Sequence, residues 1–425
     1  MIKKIARRVC RALPIIVAIT VLMFVGESHH WFDRFEAPGL DVFARIDPPL
    51  RWQNVRIVGI DDSDYASRFH STSPLNAREV QKLIDAIAKT HPSVIGVDLD
   101  TSGEAWKTIA IDPKWPPIVW ATVERVDQQG ELGTPVPVLG GRGPTRSQDR
   151  TGIALVQPDF DGVIRRYRRS YYDEPAFAYA VVQKYCALQP PSEGCAAFRT
   201  ALRLHSADPE PPVLHVLGNP SDAGTDYLPA RLLQEAEADP KWRIHNPYDG
   251  KIVVLGALFA DSRDVHITPV RPMYGVEIVT QAIENELGGA STPAFNMYFA
   301  ILLDVLAGIV LVVISCLFDF FPALLISLVG VPLLAVAISF TAFSSSLFWF
   351  DYTPLLVGVF LHELWEHARE YTTLRGDHEK LRIDHERLKA QHDVLHAQLA
   401  KIHGSTSEPT VPDAPKPAEQ PAHGA

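Results

Sequence analysis

Carboxylates collect where apolar, strand-like runs end. Asp61 and Asp62 follow Val55–Ile60, Asp98 and Asp100 follow Val94–Val97, and Asp264 lies beyond the run at 251–256. Open α/β sheets bind ligands outside the carboxyl ends of their strands. Side-chain oxygens gathered there suit a hard cation such as Ca²⁺ or Mg²⁺, and equally a cationic or polyol ligand. Aspartate also caps helices and makes turns at such positions, which is the purely structural alternative. A second group is Arg165, Arg166, Arg168 and Arg169 in DGVIRRYRRS. On a strand, alternation would put Arg166 and Arg168 on one face, able to clasp an anion or lipid headgroup; a charged, protected edge is the alternative. His215, His245 and His266 show no metal-ligand spacing, so core or surface roles are their default. No G-x-S-x-G, Walker A, dinucleotide glycine pattern, H-E-x-x-H or kinase motif set occurs, and nothing in the residues supports an enzyme, a confirmed metal or a particular cofactor.

The elements that would position these groups alternate. Strands are expected at 55–60, 94–97, 118–123, 152–157, 163–171 and 251–256, and helices at 77–90, 176–186 and 275–287. Strand, helix and strand joined by the short His91-Pro92 turn make a parallel crossover unit. The fold class is α/β with a mixed sheet. Cys186 and Cys195 stand nine residues apart around Pro190-Pro191; pairing would staple a short loop in an oxidising compartment, and two free thiols are the alternative.

The 425 residues are 47% hydrophobic and 21% charged with net charge −10, which excludes a disordered or collagen-like chain and argues against nucleic acid as a partner. The mean hydropathy of +0.02 averages unlike parts. Residues 1–11 carry Lys3, Lys4, Arg7, Arg8 and Arg11 with no acid, and 12–26 carry no charge, which places the N-terminus in the cytoplasm and an anchor at 12–28. The uncharged stretch is short for a span, so a cleaved signal peptide is the competing reading. Further spans are expected at 294–318, containing Asp304, and at 321–343 and 347–365. Four transmembrane helices put 29–293 in the periplasm and both termini in the cytoplasm of an inner-membrane protein. A carboxylate inside a span is a functional candidate by default, with a helix–helix hydrogen bond as the alternative for Asp304.

Several segments taken as a set carry a resemblance: RIVGIDDSDYA, SVIGVDLDTS, DFDGVIRRYRR, GKIVVLGALFADSRDVHITPV and MYGVEIVTQAIENEL. Their order and spacing, followed by three membrane spans, are similar to the class-two CHASE domain. The resemblance covers about residues 30–365 and implies a periplasmic sensory domain with one span before it and three after. That family commonly joins its input to a cytoplasmic cyclase or kinase, and this sequence departs from the pattern.

Leu374, Leu381, Leu388, Leu395 and Ile402 recur every seven residues, with Tyr371, His378, His385, His392 and Leu399 three before each. Taken as d and a positions they make a heptad repeat over 366–403, and it extends back through Val357, Phe360, Leu364 and His367. In a parallel dimer the g–e' pairs are Glu370 with Arg375, Asp377 with Arg382, and Asp384 with Lys389, all opposite in sign. A parallel homodimeric coiled coil is expected, and a single solvated helix is its rival. Histidines in the seam would make it marginal and sensitive to protonation, or would simply fix its register. The Pro- and Ala-rich tail 404–425 reads as disordered. Signal must then pass to a separate cytoplasmic effector protein that recognises the coil or tail, from an unknown periplasmic ligand or protein. The rivals are a scaffold or envelope-assembly protein and, more weakly, a periplasmic enzyme or metal site.

Overall fold

In the computed structural model the described residues are 2–126, 132–171, 174–189, 192–205, 211–217, 227–233, 239–240, 242, 245–293 and 297–403. The tail at 404–425 and the Pro190-Pro191 turn lie outside them. The chain divides into two compact units, 1–360 and 361–425.

Six strands build the main sheet of the first unit: β1 (Val55–Asp61), β2 (Val94–Asp98), β3 (Ile118–Thr122), β6 (Arg150–Ile153), β9 (Tyr227–Pro229) and β10 (Ile252–Leu258). Their order is β6-β3-β2-β10-β1-β9, and every pairing is parallel. The expectation of a mixed sheet is therefore corrected. Antiparallel pairing occurs in short ribbons, β4 (Glu124–Val126) with β5 (Leu132–Pro135), β7 (Ser170–Tyr171) with β8 (Glu174–Pro175), and β11 (Val265–Ile267) with β12 (Pro272–Tyr274), and in isolated bridges of Val213 with Arg166 and Thr292. The near-continuous apolar strands explain the parallel arrangement, because a parallel sheet is covered on both faces.

Alternation splits those strands between two cores. Val58, Ile60, Ile95, Val97, Ile118, Trp120, Val253 and Leu255 meet helix α4 (Ala77–Lys89) through Val80, Leu83, Ile84 and Ile87. Val55, Ile57, Val94, Val119, Ile252 and Val254 face the other way, towards α5 (Phe177–Leu188) and the later helix Gly275–Gly288. Before those two come α1 (Ile2–Ser28), α2 (Asp33–Ile46) and α3 (Asp62–Ser67); α6 (Glu193–His205) follows α5, and Gly275–Gly288 is α7. Cys186 and Cys195 form a disulfide with Cα atoms 5.4 Å apart, tying α5 to α6. Both cysteines are buried, so the bridge fastens core helices rather than a surface loop.

Helix α7 is buried from Gly275 to Leu287. A helix without an exposed face must satisfy every polar side chain internally. Glu284 does so by accepting the backbone N–H groups of Gln53, Asn54 and Val55 at 2.9–3.1 Å and the Asn54 amide at 2.8 Å, which holds the entry into β1.

Among the described residues, three helical segments are long and apolar enough to cross a membrane: Ile5–Ser28, Tyr298–Leu317 and Phe321–Ser344. The first exceeds the 15-residue uncharged stretch because α1 is helical from Ile2. The second lies in α8 (Met297–Leu317), which carries Asp304, half-buried. The third joins α9 (Phe320–Leu325), a π-helical turn at Ile326–Gly330 and α10 (Val331–Ser344). The fourth expected span, 347–365, does not qualify. Helix α11 starts only at Thr353 and runs to His403, and His362, Glu363 and Glu366 follow too few apolar residues.

Replacing Glu284 with Leu leaves three backbone donors without an acceptor. A loss of about 2–4 kcal/mol is expected, measured as a lower melting temperature of the detergent-solubilised chain, with Glu284→Gln losing less.

Candidate functional site

The carboxyl ends of β1, β10 and β2 lie side by side, with Asp61 opposite Leu258 and Asp98 opposite Gly256. Gly96 and Gly256 stand on the α7 side of the sheet: a Cβ on Gly96 would touch Phe177 and Val254, and one on Gly256 would collide with Val276 at the start of α7. Lacking side chains there, the strands let α5 settle over Gly96 and α7 over Gly256. The period of two puts Asp98 on the same side as Gly96, beside the N-terminal turn of α7.

Asp264 reaches this corner from the segment after β10. Its carbonyl accepts the Gly275 N–H at 2.9 Å, and a Cβ on Gly275 would run into its carboxylate. Its Oδ1 lies 2.8 Å from His266 Nε2. Burial first, and the charge of Asp264 second, push Asp98 up to about 7. Among the described residues no hydrogen bond to the Asp98 carboxyl is found. A carboxyl that exchanges its proton near neutrality, beside a second carboxylate and a helix N-terminus, is able to receive a donor group or a cation.

The other strand-end acids have structural work. Asp61 caps α3, accepting the Asp64 N–H at 2.8 Å, and pairs with Arg231. Burial opposes its charge, but Arg231 and the backbone donors outweigh that and hold its pKa below the ordinary value. Asp64, buried beneath it, is raised by burial and by the Asp61 charge. Asp62 accepts the Ala260 N–H at 2.8 Å, and Asp100 makes a turn by accepting the Ser102 N–H at 2.9 Å. Of the five proposed ligands, then, Asp98 and Asp264 come together as a site. No group of three or more His, Cys, Asp or Glu able to hold a metal occurs among the described residues.

The arginine run is not a strand. Only Ser170–Tyr171 belongs to one, while Val163 and Arg166 make isolated bridges. Neighbouring Arg165 and Arg166 both reach Asp159 Oδ2 at 3.2 Å, which pleated alternation forbids. Arg166 turns to Glu36 at 2.7 Å, Arg168 is exposed, and Arg169 grips Glu286 at 2.7 and 3.1 Å. The two arginines expected to share a face are thus separated.

Sequence reading missed the residue at the centre, Arg165, which is buried at 3% exposure. Its guanidinium meets Asp41 of α2 at 2.7 and 3.1 Å, Asp161 at 2.8 and 2.9 Å, and Asp159. Three carboxylates raise its pKa despite burial. The only signal in the sequence was the pair of acids in DFDGV, four and six residues before it.

His215 makes a second connection to α2. Its ring stacks on Phe343 at 4.2 Å, with Nδ1 2.9 Å from Asp47 and Nε2 2.7 Å from the Thr292 hydroxyl. Its backbone N–H and carbonyl are both held by the Asn285 amide of α7. Burial lowers its pKa although Asp47 opposes this. The expectation of a core histidine fits the position. His245 is exposed.

Because the folded state holds the Asp98 proton more tightly than the unfolded chain, folded stability falls as pH rises from about 4 to about 7. Asp98→Asn removes that penalty. The variant is expected to melt higher than the parent at about pH 8 and equally at about pH 4, checked by thermal unfolding at both values.

No curated protein and no solved structure matches the chain. The model of the CHASE2 domain matches residues 15–318, which is most of the chain and contains the second half of α1, the parallel sheet, Asp98, Asp264, Arg165 and α7. The chain belongs to the CHASE2 domain family.

Proposed function

We propose that this chain is a homodimeric membrane sensor that detects a small ligand at the Asp98–Asp264 corner and passes the event to a separate effector through a cytoplasmic coiled coil. The observation carrying this reading is the span of α7. Gly275, its first residue, touches Asp264, and Asn285, ten residues and about 15 Å further on, holds His215. A rigid buried helix thereby links the ligand corner to the junction with α2. A ligand with different affinity for two settings of α7 would shift their populations.

In this reading the sheet domain lies in the periplasm and the basic N-terminus in the cytoplasm, as the charge asymmetry favours. The reading requires residues 347–365, the loop before α11 together with its first turns, to complete a fourth crossing and return the chain to the cytoplasm. There Leu374, Leu381, Leu388 and Leu395 stand at 61–69% exposure along one stripe, a surface that a second copy in parallel register would bury. Opposite charges at the expected g–e' positions fit that partner. The effector would recognise the coil or the tail.

The reading is tested on the full chain in detergent by thermal-shift screening against metal ions, nucleotides, amino acids and sugars. Binding raises apparent stability by mass action. A shift abolished by Asp98→Asn is expected; no shift across the panel would favour a protein partner and a scaffolding role. For the dimer, Leu388→Cys in a Cys10→Ser, Cys316→Ser background is expected to cross-link under mild oxidation while Ala390→Cys, on the outer face, does not. Equal cross-linking at both would count against the parallel coil.

A further inference from the structure

Helix α2 divides into three sectors, and only one lacks a protein partner. On the first, Phe43 packs edge-on against Phe340 and Trp349 at ring distances of 5.1 and 5.6 Å. On that side Glu36 meets the Trp349 indole and Asp47 meets the Ser344 hydroxyl. On the second, Asp41 binds Arg165 and the Arg45 Nε donates to the Pro269 carbonyl at 2.8 Å. The third sector holds Phe35, Pro38, Val42 and Ile46, which fall within about 80° of one another on a helix of 3.6 residues per turn. Phe35, Val42 and Ile46 are 67, 50 and 58% exposed.

Depth identifies what covers this stripe. Phe340 and Val336, which belong to the cluster around Phe43, lie one and two turns inside the apolar segment Phe321–Ser344. On the first sector, Glu36, Phe43 and Asp47 reach Trp349, Phe340 and Ser344, so both ends of α2 stay level with the end of that segment instead of leading away from it. Ser28, where α1 ends, is five residues before the first residue of α2. Trp31 is exposed in the connection, and Arg34 and Arg45 lie together along one edge of the stripe. Amphipathic helices lying in a bilayer interface carry this arrangement of buried apolar stripe, flanking cations and interfacial tryptophan.

We infer that α2 lies in the membrane–water interface on the sheet-domain side, with Phe35, Pro38, Val42 and Ile46 against lipid acyl chains. The bilayer is then a direct partner of the helix that also holds Arg165 and His215, so lipid packing acts on the same junction as a ligand. This rests on Phe321–Ser344 crossing the membrane.

The test uses the full chain in vesicles of phosphatidylethanolamine and phosphatidylglycerol, with single environment-sensitive fluorophores on Phe35→Cys, Val42→Cys and Ile46→Cys in the Cys10→Ser, Cys316→Ser background. Labels on the stripe are expected to lose fluorescence to nitroxide-bearing lipid and not to aqueous iodide. A label on Arg78→Cys of α4 is expected to do the reverse. Quenching of the stripe by iodide alone would overturn the inference. So would protection from both quenchers together with cross-linking of Val42→Cys to a second copy, which would make the stripe a protein interface. A label on Leu333→Cys separates the two levels: lipid quenching there with none on the stripe rejects the interfacial helix, while its absence at Leu333 rejects the span itself. Should one stripe variant fail to fold, the other two carry the measurement.

Discussion

Everything in the larger unit is arranged around a helix with no face to the solvent. Burying α7 forces each of its polar side chains to find a partner inside, and each partner lies in a different segment. Glu277 takes Arg271 and the N–H of Tyr274, Glu284 takes the approach to β1, Asn285 takes His215, and Glu286 takes Arg169. The polar groups of one helix thereby specify how the strand entry, the β11–β12 ribbon, the arginine segment and the His215 segment sit around it. Because an unmade hydrogen bond here costs more than a made one contributes, the arrangement is held by the penalty for departing from it.

The same helix gives the molecule its direction. Its N-terminal turn stands over glycine positions on the sheet and beside Asp98, which keeps a proton near neutrality. Its C-terminal turn holds His215, whose ring is shared between Asp47 at the end of α2 and Phe343 of the apolar segment Phe321–Ser344. The Asp98–Asp264 corner at one end and the contacts with that apolar segment at the other are therefore joined by one helix, with no loop between them to absorb movement.

Apolar periodicity revealed most of the sheet and its covering helices: β1, β2, β3, β10, α4, α5 and α7 lie within a few residues of where hydrophobic patterning puts them. It was silent on two matters. Strand direction was one, since an edge strand as short as β9 carries no pattern. The arginine segment was the other. A run of paired arginines around Val163, Ile164 and Tyr167 reads as a strand until its partners Asp159, Asp41 and Glu36 are known, and two of those three come from a helix more than a hundred residues away. Strand-end position does not separate the duties of the five acids, because capping, turn formation and ligand binding place aspartate at the same backbone positions. Only burial and charge partners separate Asp98 from Asp61.

The Arg165 cluster has a consequence for how such a chain changes over time. One guanidinium is divided among acids from two parts of the chain, so loss of the arginine takes the shared cation from Asp41 and Asp161 and leaves Asp159 to Arg166, and loss of any one acid leaves the others to repack around an unaltered cation. No single replacement passes through a comfortable intermediate. Positions 41, 159, 161 and 165 form an epistatic block, expected to be inherited together or exchanged together, whereas the exposed Arg168 three residues on is free to drift.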